Sequence, residues 1–106
     1  DTIKNKIYME KIQQLYGNDV SIDGPFTIAE IESKNKVEIE KDRKKTIIPF
    51  GYVNDQWLEI KSKMKKGDKI FEFSTGPDSW ANLAGRAGIV VLRKNELVGT
   101  LITTMN

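Results

Sequence analysis

The chain has 106 residues, 39% of them apolar and 30% charged, and its 17 Lys and Arg against 15 Asp and Glu leave a net charge of +2. That length supports one domain with one core, the composition argues against disorder along the whole chain, and the even charge balance gives little general pull toward nucleic acid or an anionic membrane. With no cysteine and no histidine, Cys/His zinc sites, thiol nucleophiles, Ser-His-Asp triads and imidazole proton relays are excluded.

Residues 2–16 place Ile3, Ile7, Tyr8, Ile12, Leu15 and Tyr16 at helical spacing, with Lys4, Lys6, Glu10, Lys11, Gln13 and Gln14 largely opposite. The pattern predicts an amphipathic helix over 3–16, stopped by Gly17-Asn18 and docked on the protein's own sheet. Asp19 to Pro25 reads as a loop turning at Asp23-Gly24-Pro25. Ile28–Glu32 alternates weakly and is read as a strand, although TIAEIES could also make two helical turns. Val37–Glu40 alternates cleanly, with Val37 and Ile39 inward. A polar turn through Lys41 to Lys45 leads to a strand at Thr46–Ile48, which Pro49 ends.

Asn54 is a suitable N-cap for a helix over 54–65. Asp55 in its first turn and Lys63, Lys65 and Lys66 at its end suit the helix dipole, and Trp57, Ile60 and Met64 share one face. Gly67-Asp68 launches a strand at Lys69–Ser74, with Phe71 and Phe73 on one side and Ile70 and Glu72 on the other. Thr75 or Asp78 would cap a short helix over 78–84 whose apolar side is Trp80, Leu83 and Ala84, with Gly85 as its stop. Gly88–Arg93 is a continuous apolar run and reads as a central strand. Lys94-Asn95 turns it back into Leu97–Thr104. The economical assembly is an α+β single domain over residues 1–106, a mainly antiparallel sheet with about three helices covering one main face. Its expected core includes Ile7, Ile12, Trp57, Phe71, Phe73, Trp80, Leu83, Val90 and Leu92.

The most unusual local chemistry lies in Gly67–Asn106, where the candidate binding residues are Glu72, Ser79, Trp80, Arg86 and Asn106. Arg86, set between Gly85 and Gly88, could clamp a carboxylate or phosphate, or bond the open carbonyls of the short helix, or pair with Glu72 or Asp78. Ser79 as a nucleophile would need a lysine or a carboxylate as its base. Trp80 serves either as an aromatic wall or as a lid on the core. Glu72, flanked by Phe71 and Phe73, is either a carboxyl with raised pKa or an ordinary paired strand residue. Asn106 could bring a terminal carboxylate against Arg86 or Arg93. No catalytic residue and no metal ligand is assigned, and no cofactor is expected.

Residues 49–106 resemble a group of small bacterial proteins of unassigned function. The residues that carry the resemblance are Pro49-Phe50-Gly51, Trp57, Gly67-Asp68, Ser79-Trp80, Leu83, Gly85-Arg86, Gly88, Arg93 and Thr104-Met105-Asn106. The resemblance implies a compact domain in which Gly67 to Asn106 forms one structural unit, and it implies neither an activity nor a substrate.

Three functions stay in view. The first is a protein-interaction or inhibitory module, the second a small-molecule-binding domain or weak hydrolase with a cleft near Trp80 and Arg86. The third is a nucleic-acid binder using the Lys41, Arg43, Lys44, Lys45 and Lys61, Lys63, Lys65, Lys66 clusters, which are more ordinarily solvated faces. Another protein is the expected partner. No apolar run is long enough to span a membrane. Opening on Asp1 rather than Met fits either a segment of a longer chain or removal of a leader, so a soluble protein of open compartment is expected.

Overall fold

Strands β4 (Lys69–Ser74) and β5 (Arg86–Arg93) are the centre from which the rest of the molecule is built. The computed structural model describes residues 2–106, with side chains from Lys6 onward. β4 and β5 pair antiparallel, Phe71 opposite Val90 and Phe73 opposite Gly88. β6 (Glu96–Met105) continues from β5 through the Lys94-Asn95 turn, and β1 (Ser21–Phe26) lies against the other side of β4. The result is one antiparallel sheet in the order β1-β4-β5-β6. With the helices below, this is an α+β fold.

Both central strands are apolar on both faces, so each face must be covered. On one face Phe71, Phe73, Val90 and Leu92 bury against Ile12 of helix α1 (Thr2–Tyr16) and against Val20. Tyr16 stacks on Phe73 with ring centroids 4.0 Å apart, and Tyr8 tilts against Phe71 at 5.5 Å. On the other face Ile70, Ile89, Val91 and Leu101 meet Ile31 of α2 (Ile28–Lys34) and Trp57 and Ile60 of α3 (Asn54–Lys63). The helices therefore divide between the two faces, and the expectation of one covered face is corrected. Alternation along β4 and β5 forces the division, because a single helix layer would leave Phe71 and Phe73 in water.

Two further expectations are corrected between residues 19 and 34. Ile28–Glu32 is helical, as part of α2. Thr27 Oγ1 accepts from the Glu30 amide at 3.1 Å while Glu30 Oε1 accepts from the Thr27 amide at 3.0 Å, a complete capping box that outweighs the weak alternation. Asp19 to Pro25, read as a loop, instead contributes β1 from Ser21, with Ile22 opposite Phe73. The Gly24-Pro25 pair is tolerated because β1 is an edge strand whose register breaks between Asp23 and Phe26.

β2 (Lys36–Lys41) and β3 (Lys44–Pro49) do not join the main sheet. They form a separate two-stranded arm whose Asp42-Arg43 turn has both residues at positive φ, 52° and 65°, so the turn is two residues long rather than spanning Lys41 to Lys45. Its root is tied down where the Phe50 amide donates to Asn35 O at 2.7 Å and Asn54 Nδ2 donates to Pro49 O at 2.9 Å. Asn54 thus anchors the arm, and the N-cap position of α3 falls to Val53. Gly51 follows at φ 56°, its α-carbon packed so closely on Val37 that a side chain there would collide with the valine.

The core contains Ile12, Trp57, Phe71, Phe73, Val90 and Leu92 as expected, but Ile7 and Leu83 are exposed and Trp80 is only partly buried. Helix α4 (Pro77–Ala81) stops short of residue 84, and Leu83, at φ 60°, turns outward beyond its end. Val37 is also exposed, although Ile39 is buried. The side chains of Ile3 and Lys4 lie outside those described. Among the described residues no helix is long and apolar enough to cross a membrane.

Candidate functional site

The corner between β4 and β5 is held by backbone groups meeting short polar side chains. Thr75, buried at the end of β4, donates its amide to Arg86 O and accepts the Arg86 amide on its Oγ1, both at 2.9 Å. Gly76 takes the N-cap position of α4 and Pro77 opens the helix, so neither Thr75 nor Asp78 caps it. Trp80 folds back, its Nε1 donating to Thr75 O at 2.9 Å and more weakly to Ser74 Oγ at 3.3 Å. Its indole covers Gly85 so tightly that a Cβ there would fall inside the ring system. Glycine is required at 85 by this approach, while Leu83 supplies the positive-φ residue that ends the helix.

Asn106 closes the corner from the other side. Its Oδ1 accepts the Gly85 amide at 2.7 Å and its Nδ2 donates to Trp80 O at 2.5 Å. The side-chain amide does this, whereas the sequence suggested the terminal carboxylate. Arg86 directs Nη1 to Gly85 O at 2.7 Å. Among the described residues no ion pair joins Arg86 to Glu72, Asp78 or the chain terminus.

Glu72 is elsewhere. Strand alternation puts it on the α2 face with Ile70, while Arg86 shares the α1 face with Val90 and Leu92. Glu72 accepts Lys34 Nζ at 3.2 Å, and the same lysine sits 4.2 Å from the centroid of the Phe26 ring. Ser79 lies in α4, its amide donating to Gly76 O at 3.1 Å. The structure thus gathers Trp80, Arg86 and Asn106 into one corner, with Ser79 alongside and Glu72 on the opposite face. Its bonds are internal, and three surface concavities are lined by other residues.

One of these concavities lies beside the β2–β3 arm. Register puts Val37, Ile39 and Lys41 on one face of the arm, opposite Ile48, Thr46 and Lys44. Ile39, Lys41, Thr46 and Ile48 of that face, with Glu40, Gly51, Tyr52, Asn54 and Asp55, line a groove of about 490 Å³. Tyr52 is 79% exposed, and on the arm's other face Ile47 is 65% exposed. Toward the tip, Lys41 and Lys44 stand directly opposite one another on the groove face, while Glu40 opposes Lys45 on the other. Among the described residues, no charge on the arm joins an ion pair. The sequence shows the basic cluster here and not the groove, since no local pattern sets Tyr52 beside Ile39 and Ile48.

Two ionised networks tie α3 and its C-terminal end to neighbouring elements. Glu32 accepts Trp57 Nε1 at 2.8 Å and Lys61 Nζ at 3.1 Å, and the indole donor is the main cause holding its carboxyl below the usual range. Asp68 receives Arg93 through two 2.9 Å bonds, which likewise depress its pKa, and Arg93 also donates to Lys63 O. Both carboxylates are held ionised by donors within the fold, an arrangement for fastening elements together rather than for proton transfer.

No family model, no curated protein and no solved structure matches the chain.

Proposed function

We propose that the protein is a small binding module that engages another protein through the β2–β3 arm and the groove beside it. The observation that carries this reading is Tyr52, a large aromatic side chain left almost wholly in solvent next to Ile39 and Ile48. An exposed apolar surface rimmed by charge is the usual mark of an interaction site, and tyrosine is a favoured anchor in such surfaces. The Lys41–Lys44 pair adds a second requirement. Like charges directly opposed across a ladder are destabilising, and an acidic group on the partner would relieve them. The partner supported best presents an apolar side chain to the groove and a carboxylate to the arm's tip.

The same reading includes the resemblance of residues 49–106 to small bacterial proteins. A nucleic-acid function is less well supported, because the two lysine clusters lie at opposite ends of α3, one at its C-terminus and the other beyond the arm rooted at its N-terminus. A hydrolase reading needs a cleft joining Ser79, Trp80, Arg86 and Glu72, and Glu72 faces away.

The experiment is affinity capture from native lysate with the wild-type protein and Tyr52→Ala side by side, read by mass spectrometry. A protein captured by the wild type and lost with the variant, at unchanged melting temperature, supports the reading. Identical capture by both rejects it.

A further inference from the structure

The two edges of the main sheet are built differently. β1 carries Asp23 and Pro25 within six residues and loses register between Asp23 and Phe26, all devices that blunt an edge against further pairing. β6, at the opposite edge, is ten residues long, and from Leu97 to Asn106 the chain has no charged residue and no proline. Register irregularities near both ends of β6 leave a regular central stretch, Gly99–Ile102, paired residue for residue with Gly88–Val91. Such a strand turns a row of backbone N–H and C=O groups outward as a template for another strand.

We infer that β6 pairs antiparallel with β6 of a second copy of this chain, about a two-fold axis at Leu101, joining two four-stranded sheets into one. The apolar residues left exposed on β6 identify the occupant. Leu97 is 46% exposed and Met105 is 64% exposed, and they lie four residues to either side of Leu101. They also share a face: Leu97 is opposite Leu92 and Met105 opposite Arg86, both on the α1 side with Val90. A two-fold axis perpendicular to the sheet keeps that face common to both copies. It therefore sets Leu97 of each copy against Met105 of the other, at both ends of the contact. An isologous interface requires this kind of self-complementarity.

The remaining chemistry agrees. The one charged side chain of β6, Glu96, falls opposite Asn106 of the other copy, so the contact opposes no two like-charged side chains, and Thr100 and Thr104 offer hydroxyls for cross-strand bonding. Because β1 is blunted, β6 is the one open edge of the main sheet among the described residues, so pairing through that sheet closes at a dimer instead of growing into a filament. This surface is separate from the arm and does not depend on the arm's function.

Sedimentation of the full chain over a concentration series tests the inference. The wild type is expected to approach twice its 12.1 kDa chain mass. The double variant Leu97→Lys with Met105→Lys sets lysine against lysine at both ends and should stay monomeric, with an unchanged circular dichroism spectrum because both side chains are exposed. Leu97→Glu with Met105→Lys should restore the dimer, since each glutamate then meets the other copy's lysine. Amide exchange at Gly99–Ile102 should slow with concentration in the wild type and not in the lysine double variant. A monomeric wild type, a dimer indifferent to the lysine pair, failure of the Glu/Lys variant to recover it, or open-ended polymer would each overturn the proposal.

Discussion

Trp57 donates its indole N–H to Glu32 at 2.8 Å, joining α3 to α2 across the top of the sheet. The ring is fully buried against Phe50, centroids 5.1 Å apart, so the bond supplies the polar partner a buried indole needs. Trp57→Ala removes both and should cost about 3–5 kcal/mol. Glu32→Ala leaves the ring in place with its N–H unpaired and should cost about 1–3 kcal/mol. Chemical denaturation of the two variants checks the order. A loss below about 1 kcal/mol for Trp57→Ala would show that the core does not depend on this residue.

Asp68 ties the start of β4 to Arg93 at the end of β5, and its side chain is 1% exposed. Its folded pKa lies below its unfolded one, so the unfolded chain takes up the proton first as the solution is acidified. The stabilisation is therefore complete above the ordinary aspartate value of about 3.9 and is lost as the pH falls further through the depressed folded value. Asp68→Asn should melt lower than wild type at neutral pH, and the gap should narrow below that window. Thermal melts across the acid range measure it, and a gap independent of pH would count against the ion pair as its source.

The Gly85 corner should resist substitution. Gly85→Ala drives a methyl into the Trp80 ring and should cost about 1–3 kcal/mol. Asn106→Ala frees the Gly85 amide and should cost about 1 kcal/mol, with faster hydrogen exchange at that amide. Arg86→Lys should lower the melting temperature slightly, because an ammonium replaces the guanidinium fork that reaches Gly85 O. Unchanged melting and exchange in all three variants would mean that the corner is not a scaffold.

Arg43 sits at φ 65° in the two-residue turn of the arm, a conformation glycine adopts without steric cost. Arg43→Gly should stabilise the arm by about 1 kcal/mol through relief of that conformation. Exchange protection of the β2–β3 amides reports it, and weaker protection in the variant would contradict the account.

Several elements were legible because their signals are local. The α1 stripe ends at Gly17, Trp57 and Ile60 recur along α3 with Met64 just past its end, and Lys94-Asn95 sits between two apolar runs. Each of these patterns lies within a few residues and needs no distant partner. Ile28–Glu32 was misread although its capping box was written in Thr27 and Glu30, since the weak alternation of apolar Phe26, Ile28 and Ile31 with polar Glu30 and Glu32 overlaps it. The candidate residues were only partly grouped: neighbours in sequence, Trp80 and Arg86, do share a corner, but Glu72 is turned away by the two-residue period of β4.

By itself the sequence determined the α+β class, the amphipathic helix α1, the helix around Trp57, the strand pair β5–β6 and the absence of cysteine and histidine chemistry. Tertiary structure alone decided that Ser21–Phe26 is a strand, because its main backbone partners are in β4, more than forty residues away. It also decided that β2 and β3 stand apart as an arm, that the helices split between two faces, and that Asn106 reaches Gly85. Periodicity and caps report which side of an element is apolar, but the choice among distant partners depends on how both faces of β4 and β5 can be buried at once, and no local stretch of sequence carries that.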